Sequence, residues 1–183
     1  MRDRRQELAK VWGEMGRPQL KARTGVNSGP MLVGNLGSRY RFAYGALGDH
    51  VNLGSRLEGL NKMYGTEILI GENTAGLVGD TFLLREIDRA RVKGRVTPER
   101  VHELLANSSA AIAKEREQSL SCYAAGFEAY LQQQWQEALG LFKEALKLWP
   151  EDGPSRVMAQ RCQIYQETPP PEDWDGVFEH VSK

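Results

Sequence analysis

Gly48-Asp49-His50-Val51-Asn52-Leu53-Gly54-Ser55-Arg56-Leu57-Glu58 is the most telling run of this chain. Gly48 permits a sharp exit from the extended segment Tyr40 to Leu47, and Asp49 is a good N-cap for a helix. Leu53, Leu57 and Leu60 fall at i, i+4 and i+7, so this helix has a face to bury. Asn52 and Arg56 stand four apart and share a face at the edge of the leucine stripe. A neutral hydrogen-bonding amide beside a fixed cation suits a site that holds a ribose or phosphate while negative charge shifts. In an anonymous helix the same pair reads first as a surface asparagine and an arginine paired with Glu58 or a neighbour. The surrounding sequence decides between the two.

Upstream, Leu8, Val11, Trp12 and Met15 recur at helical spacing, predicting a helix over 1–16 that Gly16-Arg17-Pro18 ends. Ala22 to Asn27, Met31 to Asn35 and Tyr40 to Leu47 read as extended, with Ser28-Gly29-Pro30 as a hairpin turn between the first two. Downstream, Thr66 to Ile70 is a strand and Asn73 to Val78 a short helix. Phe82 to Ile87, Ala90 to Val92 and Arg100 to Leu105 are further strands, with Lys93-Gly94 as a turn. This mixture predicts an α/β or α+β sandwich. His50, beside the cap, reads as a surface or capping residue. Lys62 and Lys93 read as solvated, and the turn Gly34-Asn35-Leu36-Gly37 needs no phosphate to explain it.

The 183 residues allow one medium domain and an appendage. Hydrophobic residues at 40% and charged residues at 26% mark a globular rather than a disordered chain. Lys and Arg balance Asp and Glu, 24 against 24, which leaves no general attraction for nucleic acid or an acidic membrane. Cys122 and Cys162 fit no metal spacing and are expected as buried thiols in a reducing, cytoplasmic setting. No apolar run approaches the roughly 20 residues that span a bilayer. Any membrane anchor would lie on a segment outside this chain.

From Lys114 to Gln166 the pattern is helical throughout. Gly126, Trp135, Ala138, Phe142, Ala145 and Pro150 resemble the small–large spacing of one tetratricopeptide repeat. Small residues let two antiparallel helices approach, and aromatics fill the groove. One repeat buries too little to stand alone, so it is expected to dock on the first part or on Ser155 to Tyr165. Thr168-Pro169-Pro170-Pro171 forces an extended tail, with Trp174, Val177 and Phe178 as its anchors. The expected divisions are a lead-in over 1–21, an α+β part over 22–106, a helical part over 107–167 and a tail over 168–183.

Gly25-Val26-Asn27-Ser28-Gly29-Pro30, Val33-Gly34-Asn35-Leu36-Gly37-Ser38, Gly48-Asp49-His50-Val51-Asn52 and Ser55-Arg56-Leu57-Glu58 stand in the order and at the spacing of one family. Together with Val92-Lys93-Gly94 they strongly resemble the class III nucleotide cyclases over roughly residues 22 to 105. The resemblance implies a partial ferredoxin-like cyclase sandwich. It implies conversion of a nucleoside triphosphate, ATP before GTP, to a 3′,5′-cyclic monophosphate and pyrophosphate. It implies a homodimer whose sites lie between two catalytic domains. Asn52 then matches the family's ribose-orienting asparagine, and Arg56 the arginine that meets phosphate charge in the transition state.

The departures are as specific. The family's two metal-binding aspartates and its base-selecting lysine lie upstream of the matched stretch, so the ligands for two Mg or Mn ions are expected outside this chain. Asp49 belongs to the Gly-Asp turn and is no substitute. Gly45 stands where adenylate cyclases commonly place a base-contacting threonine or aspartate. The chain alone is therefore expected to be inactive, as the C-terminal part of a catalytic domain. The alternative is a non-catalytic docking module built from a degenerate cyclase fold and a helical repeat.

Overall fold

A computed structural model describes residues 2–18, 22–38, 40–90 and 98–178. Among these, Thr24–Val26 (β1), Ile68–Gly71 (β4), Phe82–Ala90 (β5) and Glu99–Asn107 (β6) form a four-stranded sheet in the order β1-β4-β6-β5. β1 runs parallel to β4, and the other pairings are antiparallel. Leu32–Ser38 (β2) and Arg41–Leu47 (β3) form a separate two-stranded hairpin. Ser28-Gly29-Pro30 is therefore not a hairpin turn. It carries the chain out of one sheet into the other, because β1 finds its partner in β4 rather than in the next strand. The strand expected at Ala90 begins no new element, as β5 runs on to Ala90. The Lys93-Gly94 turn lies outside the described residues.

Helix α1 spans Arg2–Glu14, α2 Asp49–Tyr64 and α3 Glu72–Val78. Three helices follow the sheet: α4 Lys114–Leu131, α5 Trp135–Leu148 and α6 Gly153–Glu167. Burial alternates along β6, where Glu99, Val101, Glu103 and Leu105 point into the protein. α2 packs on β1 and β4, and α4 reaches β5. One apolar core runs from Leu53, Leu57, Leu69 and Ile87 through to Tyr123, Phe142, Met158 and Tyr165. The helical part thus docks both on the sheet side and on α6. Between α4 and α5, a Cβ on Gly126 would meet Phe142 at 3.0 Å and Leu141 at 3.2 Å, the close approach that the small residue permits.

The tail returns to this core. Trp174 meets Tyr130, Trp135 and Tyr165 with ring centroids 5.2–5.5 Å apart. Its Nε1 donates to the Val177 carbonyl at 2.8 Å, and Val177 is buried. Cys122 is half-buried and Cys162 buried, and burial pushes the Cys162 thiol up to about 12. No helix among the described residues is long and apolar enough to cross a membrane.

Candidate functional site

α2 starts differently from the sequence expectation. Gly48, not Asp49, occupies the cap position, at φ 149°, and no side chain caps the helix. The Gly48 carbonyl instead accepts from Val51 N at 3.1 Å and Asn52 N at 3.2 Å. A glycine suits this backbone because φ lies in the region that a Cβ disfavours. The helix ends on Gly65 in the left-handed conformation, whose N–H returns to the Asn61 carbonyl.

Leu53 and Leu57 turn into the core, with Leu60 half-buried beside them. Asn52 and Arg56 are both exposed, one turn apart on the same helix. The structure thus places the two predicted site residues together, on the helix that the leucines anchor. Glu58, the partner first suggested for Arg56, carries an exposed ion pair with Arg23 at 3.2 Å. Lys62 is exposed, and Gly45 lies opposite Gly34 in the β2–β3 hairpin.

His50 is not a surface residue. It is 8% exposed and tethered to the residue that follows β1: Asn27 Nδ2 donates to the His50 carbonyl at 3.1 Å and lies 3.1 Å from Nδ1. A Cβ on Gly29 would fall 2.4 Å from the imidazole, so the ring sits directly on the loop after β1. Behind it, a Cβ on Gly25 would lie 2.1 Å from the Gly54 carbonyl oxygen and 2.4 Å from the Glu58 nitrogen. β1 and α2 touch backbone to backbone there. Asn61 completes the attachment, donating to the Thr24 carbonyl at 3.0 Å.

Two buried ion clusters behind the site escaped the sequence reading. Arg85 on β5 bonds Glu103 at 2.6 Å and Asp152 at 2.7 Å and 2.9 Å. Burial lowers the Arg85 guanidinium, but the Asp152 hydrogen bonds and the two carboxylate charges outweigh it and hold it charged. Arg161 on α6 bonds Asp88 at 2.9 Å and the Tyr64 hydroxyl at 2.8 Å, while that hydroxyl donates to Asp88. All three are buried. Burial raises the Tyr64 phenol well above its usual range, and the Asp88 charge adds to it. These pairs span up to 97 positions in the chain, a separation at which local pattern carries no signal.

Among the described residues, no three of His, Cys, Asp and Glu converge as metal ligands. Asn52 and Arg56 remain the exposed amide and guanidinium that the described residues set on one helix face. They can hold hydroxyls and phosphate oxygens and neutralise developing charge.

Residues 6–106 match the family described as adenylate and guanylate cyclase catalytic domain. The chain is 33% identical over 141 residues to the terminal-differentiation-specific adenylate cyclase of Dictyostelium discoideum, covering 75% of this chain and 7% of that protein. It is 38% identical over 90 residues to adenylate cyclase 1 of Rhizobium meliloti, covering 49% of this chain and 14% of that protein. The chain therefore spans a small part of the length of these relatives. The crystal structure of the adenylyl cyclase CyaB from P. aeruginosa superposes with a TM-score of 0.50 at 30% identity. That match covers 61% of this chain and 56% of CyaB.

Proposed function

The chain belongs to the adenylate and guanylate cyclase catalytic-domain family, and from that premise we propose that it is part of an adenylate cyclase. The whole enzyme would turn ATP into 3′,5′-cyclic AMP and pyrophosphate for intracellular signalling. The observation that carries the reading is the exposed Asn52–Arg56 pair on one face of α2, inside the matched segment. In the proposed reaction the ribose 3′-oxygen bonds to the α-phosphorus while the bond to the departing pyrophosphate breaks. Asn52 orients the ribose, which keeps the attacking oxygen in line. Arg56 meets the charge that builds on the phosphates, a task for an always-charged planar fork.

The two divalent ions of the proposed reaction would be held by carboxylates outside these residues. The site is shared between two copies, each lending different residues, and the helical part resembles a tetratricopeptide repeat with a docking role. The β2–β3 hairpin supports the dimer: Leu32, Phe42 and Tyr44 are 76%, 66% and 76% exposed, an apolar surface suited to a second copy. ATP is favoured over GTP by the names of the relatives. The test measures cyclic nucleotide from ATP and from GTP, with this chain alone and with a fragment supplying the family's upstream strand and hairpin. The chain alone should make none with magnesium or manganese, and the mixture should make cyclic AMP. Robust turnover by the chain alone, or none by an assembled mixture, overturns the proposal.

A further inference from the structure

We infer that Arg161 is a positioning residue for the reaction proposed above: from the last helix it fixes, through Tyr64, the roll of the helix that presents Asn52 and Arg56. The inference rests on that proposed function.

α2 is held on β1 by a line of backbone contact, Gly25 against Gly54 and Glu58. Such a contact sets distance but resists rotation about the helix axis poorly. The packing of Leu53 and Leu57 is apolar and non-directional, so it restrains roll only loosely. Directional hydrogen bonds do better: Asn61 supplies one to the Thr24 carbonyl close to the axis, and longer-armed ones hold α2 at its two ends. At the front, Asn27 grips His50. At the rear, Arg161 grips the Tyr64 hydroxyl at 2.8 Å and shares Asp88 with it.

The rear grip is built for rigidity. Arg161 is 3% exposed and Tyr64 0%. Phe178, from the tail, lies over the guanidinium at 4.5 Å and closes it from outside. A Cβ on Gly153 would fall 1.8 Å from the Tyr64 carbonyl oxygen, so the start of α6 abuts the end of α2. The phenol is a long off-axis arm, and holding its tip holds the azimuth of the whole helix. Side chains stand about 5–6 Å from a helix axis, so a 10° roll displaces them by about 1 Å. A displacement of that size can cost about a hundredfold in rate when the displaced group acts in the transition state.

Two measurements test this. In the 183-residue chain, Tyr64→Phe removes only the hydroxyl, and hydrogen exchange is followed across α2, α4 and α5. Amides of α2 should exchange about tenfold faster, the loss of one hydrogen bond, with α4 and α5 unchanged. In the mixture reconstituted as above, Arg161→Met should lower kcat about 10- to 100-fold with Arg161→Lys recovering part of it. On an Asn52→Ala, Arg56→Ala background Arg161→Met should cost no more than threefold, since it acts through that pair. A merely structural loss would multiply with those two substitutions and would raise exchange in all three helices together. Unchanged α2 exchange, uniform loosening or multiplicative losses each overturn the inference. If Arg161→Met fails to fold, Tyr64→Phe carries both arms. If the reconstituted wild type makes no cyclic nucleotide, the proposed function falls, and the exchange at α2 still decides whether the grip exists.

Discussion

Arg56 and Asn52 share a helix face, yet their removal should fail in different ways. On the proposed function, Arg56→Ala in the complete enzyme would remove a fixed charge that matters most as phosphate charge develops, so turnover should fall far more than substrate affinity. Losing one such electrostatic donor typically costs about 100- to 1,000-fold in rate. Asn52→Ala should harm turnover by loosening the ribose. Steady-state kinetics on both variants separates these effects. A shared site adds a sharper outcome. A mixture of an Arg56→Ala subunit with one lacking the metal carboxylates should regain activity, since one of the two sites in the mixed dimer joins two intact halves. Heterodimers that form and stay as inactive as either parent would remove Arg56 from a shared site.

At the scale of elements, buried ion pairs join the apolar core in fixing how the helices meet the sheet. Arg85 bridges Glu103 on β6 and Asp152, the cap of α6, and all three side chains are buried. Arg85→Met would strand two buried carboxylates, a change that typically costs about 3–5 kcal/mol. The urea midpoint should fall accordingly, with recovery when Glu103 and Asp152 are neutralised together as Gln and Asn. The tyrosines offer a second measurement. Burial raises the phenols of Tyr64, Tyr123 and Tyr130. A group raised in the folded state stabilises fully below its unfolded pKa, about 10, and loses that contribution as pH rises above it. Phenolate absorbance from these three should therefore stay absent near pH 10 and appear with cooperative alkaline unfolding. A smooth titration of all six tyrosines near pH 10 in the folded protein would contradict their burial.

Across the whole molecule, apolar surface is distributed unevenly. The core is shared by sheet and helices, whereas Leu8 and Val11 on α1, Met15 just after it, and Leu32, Phe42 and Tyr44 on the hairpin are exposed. β1 pairs on one side only among the described residues. Edges and patches of this kind favour association. The chain should self-associate at high concentration, and light scattering should show mass rising with concentration. Phe42→Ser and Tyr44→Ser together should reduce it while leaving the core intact. A monodisperse monomer throughout would count against a docking role for the hairpin.

The sequence alone located most of the elements and set Asn52 and Arg56 one turn apart on a helix. Leucines at helical spacing, the glycine before Asp49 and the four-residue step from Asn52 to Arg56 are local signals, and local steric and periodic rules act on them directly. The bent path after Asn27 was not legible, because whether β1 pairs with β2 or with β4 depends on partners more than 40 residues away. His50 looked superficial for the same reason: its burial comes from Asn27 and Gly29, not from its own helix. Arg161, Asp88 and Tyr64 read separately as ordinary residues of three elements. Only the tertiary structure brings them together, and burial there makes each ion pair obligatory, because a buried charge left without its partner costs far more than an exposed one.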